Sequence, residues 1–394
     1  YIPGQALQGN IDLHKNAPEA YMEYPAKATG NDKFDAWPGI NDWYETTKLN
    51  YGVDYMNGRA KHFHPTPDTW TKMRDILLFW ASKKIDGFRC DMAEMVPAEF
   101  WGWVIPQIKE QYPEIIFIAE VYNPNEYRNY IFNGHFDYLY DKVGLYDTLR
   151  SLTCGNNSAT AIQYQWQNLS GIEKNMLNFL ENHDEQRIAS DFFAGNGAKA
   201  IPAMIISACM NTNPVMIYFG QEFGEPGMDS EGFSGCDGRT TIFDYWSVSS
   251  IRRWRNKDKF DGKNLTDEEK KLQSFYRTLL NLCNTEKAIR NGEFFDLTYA
   301  NLEGCSFNEH KQYAFLRKCD KDLILIVVNF DKAPATPHIK IPAHAFEYLG
   351  IPEKKSYKTK ELLTNKTDNI SISPDQSVQV SLDGYGGILL KISL

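Results

Sequence analysis

The runs "IDGFRCD" (85–91), "PAEFWGWVIPQIKEQY" (97–112) and "EIIFIAEVY" (114–122) follow one another along the chain, and their reading decides the fold. The outer two are short, apolar and bounded by turn-forming or polar residues, the composition of buried strands. The middle one reads as a helix. Strand, helix, strand at this spacing is a βαβ unit of a parallel sheet.

The same beat runs outward from this unit. Upstream, "TPDTWTKMRDILLFWASKK" places Trp70, Met73, Ile76, Leu77 and Trp80 at helical spacing, with Thr66 or Asp68 able to cap and Pro67 near the start. Downstream come "FDYLY" (136–140), "NMLNFLENHD" (175–184), a helix around 197–210 and "PVMIYFG" (214–220). Five strands separated by helical patterns fit part of a TIM (β/α)8 barrel better than a short open sheet. Residues 1–65, rich in Gly, Pro, Asn and Asp, read as an irregular, loop-dominated segment. Past the helix "TDEEKKLQSFYRTLLNLCNTEK", from about residue 297, short β-rich runs ("YAFLRK", "LILIVVNF", "GILLKISL") read as a C-terminal antiparallel β-sandwich. The expected class is therefore α/β, with segments 1–65, 66–296 and 297–394.

Composition narrows the function. With 42% hydrophobic and 24% charged residues the 394-residue chain has the make-up of a soluble globular protein. Its 51 acidic against 42 basic residues give a net charge of -9 without any concentrated block, so a phosphate backbone is repelled on average and nucleic acid is not an expected partner. The apolar window "AIPAMIISACM" (200–210) is too short to span a bilayer. The first residues, "YIPGQALQGN", contain no initiating Met and no signal-peptide pattern, which suggests a processed or truncated chain and leaves the compartment open: secreted, periplasmic or cytoplasmic. Seven scattered cysteines without CxxC spacing argue against a disulfide framework and a zinc site, and "HFH" (62–64) lacks an evident third ligand. Trp37, Trp43, Tyr44, Tyr51 and Tyr55 crowd one region, where they either stack on sugars or pack a small loop-rich subdomain.

In a parallel barrel the chemistry sits at the C-terminal strand ends. Arg89 and Asp91 share one face of their strand, Glu120 closes "IIFIAE", and Asn182, His183 and Asp184 end "NFLENHD". Taken singly, each has an ordinary structural reading: an ion pair, a strand-end acid, a turn. Together they place three carboxylates, an arginine and a histidine at one end of one barrel. Two carboxylates flanking a glycosidic bond can serve as nucleophile and general acid/base. Arg89 beside Asp91 favours its ionised form, leaving Glu120 as proton donor, while Asp184 and His183 can bond sugar hydroxyls.

These motifs resemble the alpha-amylase family of glycoside hydrolases, family thirteen: "DGFRCD", "FIAEVY" and "FLENHD" match three of its short motifs, with similar spacing, and "IYFGQEFGEPG" (217–227) and "DGRTTIFDYW" (237–246) resemble the loop after its eighth strand. The resemblance implies Asp91 as nucleophile, Glu120 as general acid/base, Asp184 as transition-state stabiliser, and Arg89 and His183 as substrate and nucleophile contacts; Asn182 and Glu94 are expected beside them in the substrate site. It also implies a retaining mechanism without a cofactor for the chemistry.

The departures from the family pattern carry expectations of their own. The family's first motif is absent, so the alignment starts in the domain inserted after the third strand, the barrel is incomplete at its N-terminus, and the chain alone is expected to be inactive or poorly stable without its missing N-terminal barrel segment. "MAEM" places Glu94 and Met95 where many starch-cleaving members carry Lys and His, whose His carbonyl commonly joins a structural calcium site. Calcium here is an open expectation, and no metal ligand is assigned. The leading expectation is a retaining hydrolase of α-1,4-glucosidic bonds in starch, glycogen or maltooligosaccharides. The alternatives are a transglycosidase or oligosaccharide α-glucosidase of the same family, and a non-catalytic glycan-binding or interaction module on an amylase fold. Exact glycan, linkage, endo or exo action and oligomeric state are not set by the sequence.

Overall fold

The computed structural model describes residues 28–34, 42–43, 46–229, 236–240, 248–302 and 306–394, and divides into two compact units. One runs through Ala119 and includes Arg128–Asp137; the other holds Glu120–Tyr127 and Tyr138–Leu394.

In the first unit the described part of 28–65 contains two two-residue strands, β1 (Val53–Asp54) and β2 (Ala60–Lys61), paired antiparallel. Helix α1 (Asp68–Ala81) follows. Its N-cap is Pro67, without a side-chain cap bond, so neither Thr66 nor Asp68 caps it; Asp68 lies in the first turn, where a carboxylate favours the helix dipole. Of its apolar stripe, Trp70 is buried against Phe63, Phe100 and Trp103, while Ile76 and Trp80 stay about half exposed. Strand β3 (Gly87–Cys90), helix α2 (Ala98–Gln111) and strand β4 (Ile116–Ala119) form the βαβ unit read from the sequence. The strands are parallel, with Gly87 opposite Ile116 and Cys90 opposite Ala119. Phe100, Trp101, Val104, Ile105 and Ile108 give α2 its buried face.

The second unit holds β5 (Tyr138–Tyr140), α3 (Asp147–Thr153), α4 (Ala161–Asn168), β6 (Met176–Phe179), α5 (Ile201–Cys209) and β7 (Val215–Met216). The strands pair parallel in the order β5-β6-β7. All of β6 is buried, as expected of a parallel strand covered on both faces. Pro202–Cys209 are likewise all buried, the position that a helix apolar on every side requires. Then come α6 (Ser249–Arg255), α7 (Asp267–Thr285) and α8 (Lys287–Asn291). Thr266 and Glu269 close a reciprocal capping box at the start of α7.

The C-terminal β-structure begins earlier than residue 297. Strand β8 (Glu293–Asp296) already pairs with β9 (Gln312–Cys319), which continues into β10 (Asp322–Asn329). With β12 (Tyr357–Glu361), β13 (Thr367–Ile370) and β15 (Gly386–Ser393) these form a six-stranded antiparallel sheet ordered β13-β12-β15-β10-β9-β8. The layer opposite is smaller than a full second sheet: the pair β11 (His338–Lys340) and β14 (Ser377–Gln379), with helix α9 (Ala343–Leu349). Leu323, Leu325 and Val327 of β10 pack into this layer. Ile324, Ile326 and Val328 face the other way, into a core shared with α5 and α7. Burial on both faces explains why "LILIVVN" shows no polar alternation.

Candidate active site

Arg89, Asp91 and Glu120 sit at the ends of parallel strands, Asn182, His183 and Asp184 in the turn that follows β6, and Glu94 on the short helix after Asp91. In the first unit Arg89 lies on β3, and Asp91 follows its last residue, Cys90. The Arg89 guanidinium donates through Nη1 to Asp91 Oδ1. The Asp91 side chain is 73% exposed, so the charge pair stands at the rim of the strand rather than in its buried part. Met92 takes a left-handed conformation (φ 42°) and turns the chain into a short 3-10 helix, Ala93–Met95, which carries the half-buried Glu94.

The backbone of this turn is held by side chains. Trp101 Nε1 donates to the Ala93 carbonyl at 3.1 Å, and the Tyr130 hydroxyl reaches those of Glu94 and Val96 at 3.0 and 2.8 Å. The Met95 carbonyl accepts from Lys48 Nζ and from the Tyr55 hydroxyl, each at 3.4 Å. This is the carbonyl that the family resemblance associates with calcium. Here an ammonium, which also ion-pairs Asp32, already stands on it, so the residues present do not fit a divalent cation at this point. Among the described residues no group of three or more His, Cys, Asp and Glu side chains converges as a metal site.

In the second unit Glu120, only 3% exposed, directly follows Ala119 and accepts a 2.5 Å hydrogen bond from the Tyr122 hydroxyl. Burial pushes that phenol well above its ordinary range, and the bond to Glu120 with the charges of Glu120, Asp184 and Glu185 pushes it further. Tyr122 therefore stays a protonated donor, and it brings Glu120 and Asp184 into one electrostatic neighbourhood. Tyr122 lies past the end of β4, two residues after Glu120, and nothing in the sequence singled it out.

The turn after β6 has its own internal logic. Buried Asn182 accepts through Oδ1 from the backbone N–H of Asp184 and of Glu185, both at 2.9 Å, so its oxygen is committed to shaping the turn. His183 Nε2 lies 3.2 Å from Asp184 Oδ2. Glu185, also missed from sequence, is clamped by Lys142 (3.2 Å), Arg150 (3.5 Å) and the Tyr146 hydroxyl (3.0 Å). Beneath the turn, fully buried Glu181 pairs with fully buried Arg187 at 2.8 Å and accepts from the Ile188 N–H at 2.7 Å. Burial raises the Glu181 carboxyl against the pull of Arg187. Arg187 also donates to Thr240 and lies over the rings of Tyr218 and Phe219, 4.2 and 4.8 Å from their centroids. Gly227 (φ +58°) permits this packing, since a Cβ there would meet Arg187 Cγ at 2.9 Å.

One more acid ends a strand. Asp141 follows β5 but is 1% exposed and turns inward, accepting from the Leu145 N–H at 2.9 Å to cap a π-helical turn, Lys142–Tyr146. Burial pushes it up to about 6, against the Leu145 bond that lowers it. Its place after "FDYLY" was the available sequence signal.

The alpha-amylase catalytic-domain family model matches residues 24–280. The chain is 24% identical over 277 residues to a cyclomaltodextrinase of a Bacillus species, covering 68% of this chain and 43% of that protein. It is 38% identical over 63 residues to the alpha-1,4-glucan:maltose-1-phosphate maltosyltransferase of Cereibacter sphaeroides, covering 16% of this chain and 11% of that one. Among solved structures, an alpha-amylase of Geobacillus thermoleovorans complexed with acarbose gives a TM-score of 0.62 at 17% identity, over 85% of this chain and 66% of that one. In all three comparisons the chain spans less than two thirds of its counterpart. The structural likeness shows the TIM-barrel fold of the alpha-amylases. With the matched segment taking in well over half of the chain, including Asp91, Glu120 and Asp184, the protein belongs to the alpha-amylase family of glycoside hydrolases.

Proposed function

We propose that the protein is a retaining hydrolase of α-1,4-glucosidic bonds in starch, glycogen or maltooligosaccharides. Asp91 attacks the anomeric carbon and forms the glycosyl ester, with Arg89 bonded to the carboxylate in its ionised form. Glu120 protonates the departing glycosidic oxygen, then takes the proton of the incoming water. Asp184 and His183 bond the sugar hydroxyls as the oxocarbenium-like transition state forms, and Asn182 acts by holding their turn. Glu94 belongs to the substrate site beside them. In domain terms, 1–65 is the inserted domain, 66–296 the catalytic barrel part and 297–394 the C-terminal β-domain, with β8 at the end of the barrel part pairing into the sheet of the β-domain.

The observation that carries this reading is the Glu120–Tyr122 pair lying in the field of Asp184: a buried carboxyl with a permanent hydrogen-bond donor beside a half-exposed second acid. Incubating the full-length protein with maltooligosaccharides tests it. Reducing ends should accumulate, and Asp91→Asn and Glu120→Gln should each lower turnover by roughly 10²–10⁴-fold while oligosaccharide binding persists. Undiminished turnover in Asp91→Asn eliminates the nucleophile assignment.

A second reading, transfer to a sugar acceptor instead of water, is favoured by Glu94 and Met95 standing in place of Lys and His, and by the local similarity to a maltosyltransferase. Both readings share the glycosyl ester, and the acceptor separates them. Longer oligosaccharides without a net gain of reducing ends would replace hydrolysis with transfer.

A further inference from the structure

We propose that the Lys48 ammonium serves as a built-in cation, fastening the 28–34 segment to the backbone turn after β3, so that this junction is assembled without a divalent metal. The inference stands independently of the glycosidase reading.

The geometry is a set of converging bonds inside one compact unit. The Lys48 backbone N–H donates to the Ala28 carbonyl at 2.9 Å, while its Nζ pairs with the Asp32 carboxylate and donates to the Met95 carbonyl at 3.4 Å. The ammonium lies 4.7 Å from the Tyr55 ring centroid, and Tyr55 in turn stacks on Phe34 at 5.3 Å. The Lys48 side chain is 10% exposed, so its charge is largely withdrawn from water and depends on these partners. An ammonium offers three donors and no acceptor, which matches a carboxylate and a carbonyl converging from separate segments.

The neighbouring backbone supports the same conclusion. The consecutive carbonyls of Ala93, Glu94, Met95 and Val96 each accept from a side-chain N–H or O–H, supplied by Trp101, Tyr130, Lys48 and Tyr55. A divalent ion needs several oxygen ligands directed at one point. Here the oxygens are directed at protein donors, and a metal at the Met95 carbonyl would meet a like charge.

Thermal unfolding of the full chain tests the assignment with calcium chloride and EDTA as probes. The wild-type midpoint should be the same in both, Lys48→Met should lower it by roughly 2–6 °C, and Lys48→Arg should recover much of the loss. A Lys48→Met midpoint equal to wild type overturns the proposal. So does a calcium-dependent rise in the wild type that Asp32→Asn removes. If Lys48→Met does not fold, the calcium and EDTA comparison on the wild type and on Lys48→Arg decides.

Discussion

Replacing Asp141 by Asn should stabilise the protein at neutral pH and not in acid. The carboxyl is 1% exposed, its Oδ2 has no hydrogen-bond partner among the described residues, and Asp147 adds a like charge nearby. Against these, the Leu145 N–H favours the ionised form. The folded-state value of about 6 lies above the ordinary aspartate value of about 3.9. A raised carboxyl favours folding only while protonated in both states, so its contribution is intact below about pH 4 and is lost as pH rises through 6. A displacement of about two pH units corresponds to roughly 3 kcal/mol. Asparagine keeps the acceptor for Leu145 and cannot ionise; its buried N–H₂ lacks a partner, but so does the O–H of the protonated acid, so that cost largely cancels at low pH. Urea unfolding of both proteins from pH 4 to 8 should therefore give similar stabilities near pH 4. Asp141→Asn should gain up to about 3 kcal/mol by pH 7–8. A stability difference that stays flat across this range would refute the reasoning, because removing a hydrogen bond or repacking the site has no reason to follow a titration.

Two further outcomes follow from the packing. Arg187→Leu leaves Glu181 buried without its cation and should cost about 3–5 kcal/mol in urea unfolding, while Glu181→Leu combined with Arg187→Met should recover part of that loss by removing both charges. Thr266→Ala removes one half of the capping box of α7 and should cost about 1 kcal/mol, read as a lower thermal midpoint.

How far the sequence reaches depends on how local the physics is. The βαβ unit at 85–122 and the strands β9, β10 and β15 were legible because burial writes itself into contiguous residues: β10 is apolar throughout since both its faces are covered. The start of α1 was less so, because the caps available in the sequence, Thr66 and Asp68, gave way to Pro67, whose fixed backbone begins the helix without a side-chain bond. Lys48 was not legible at all. Its carbonyl partner lies 47 positions away, and nothing in an isolated lysine marks which oxygen it will meet.

The strand-end acids show the limit most sharply. In the sequence Asp91, Glu120, Asp141 and Asp184 are one kind of feature, an acid closing or following an apolar run. The structure separates them by environment: Asp91 exposed on its arginine, Glu120 buried under a tyrosine hydroxyl, Asp184 half exposed beside His183, and Asp141 turned inward as a helix cap. Position on a strand selects which side chains reach the barrel end, but a proton's address is set by solvent and neighbours. An acid that spends its oxygen on a backbone N–H and its burial on neutrality has little left to offer a substrate, which is why Asp141 reads as structural while the other three carry the proposed chemistry.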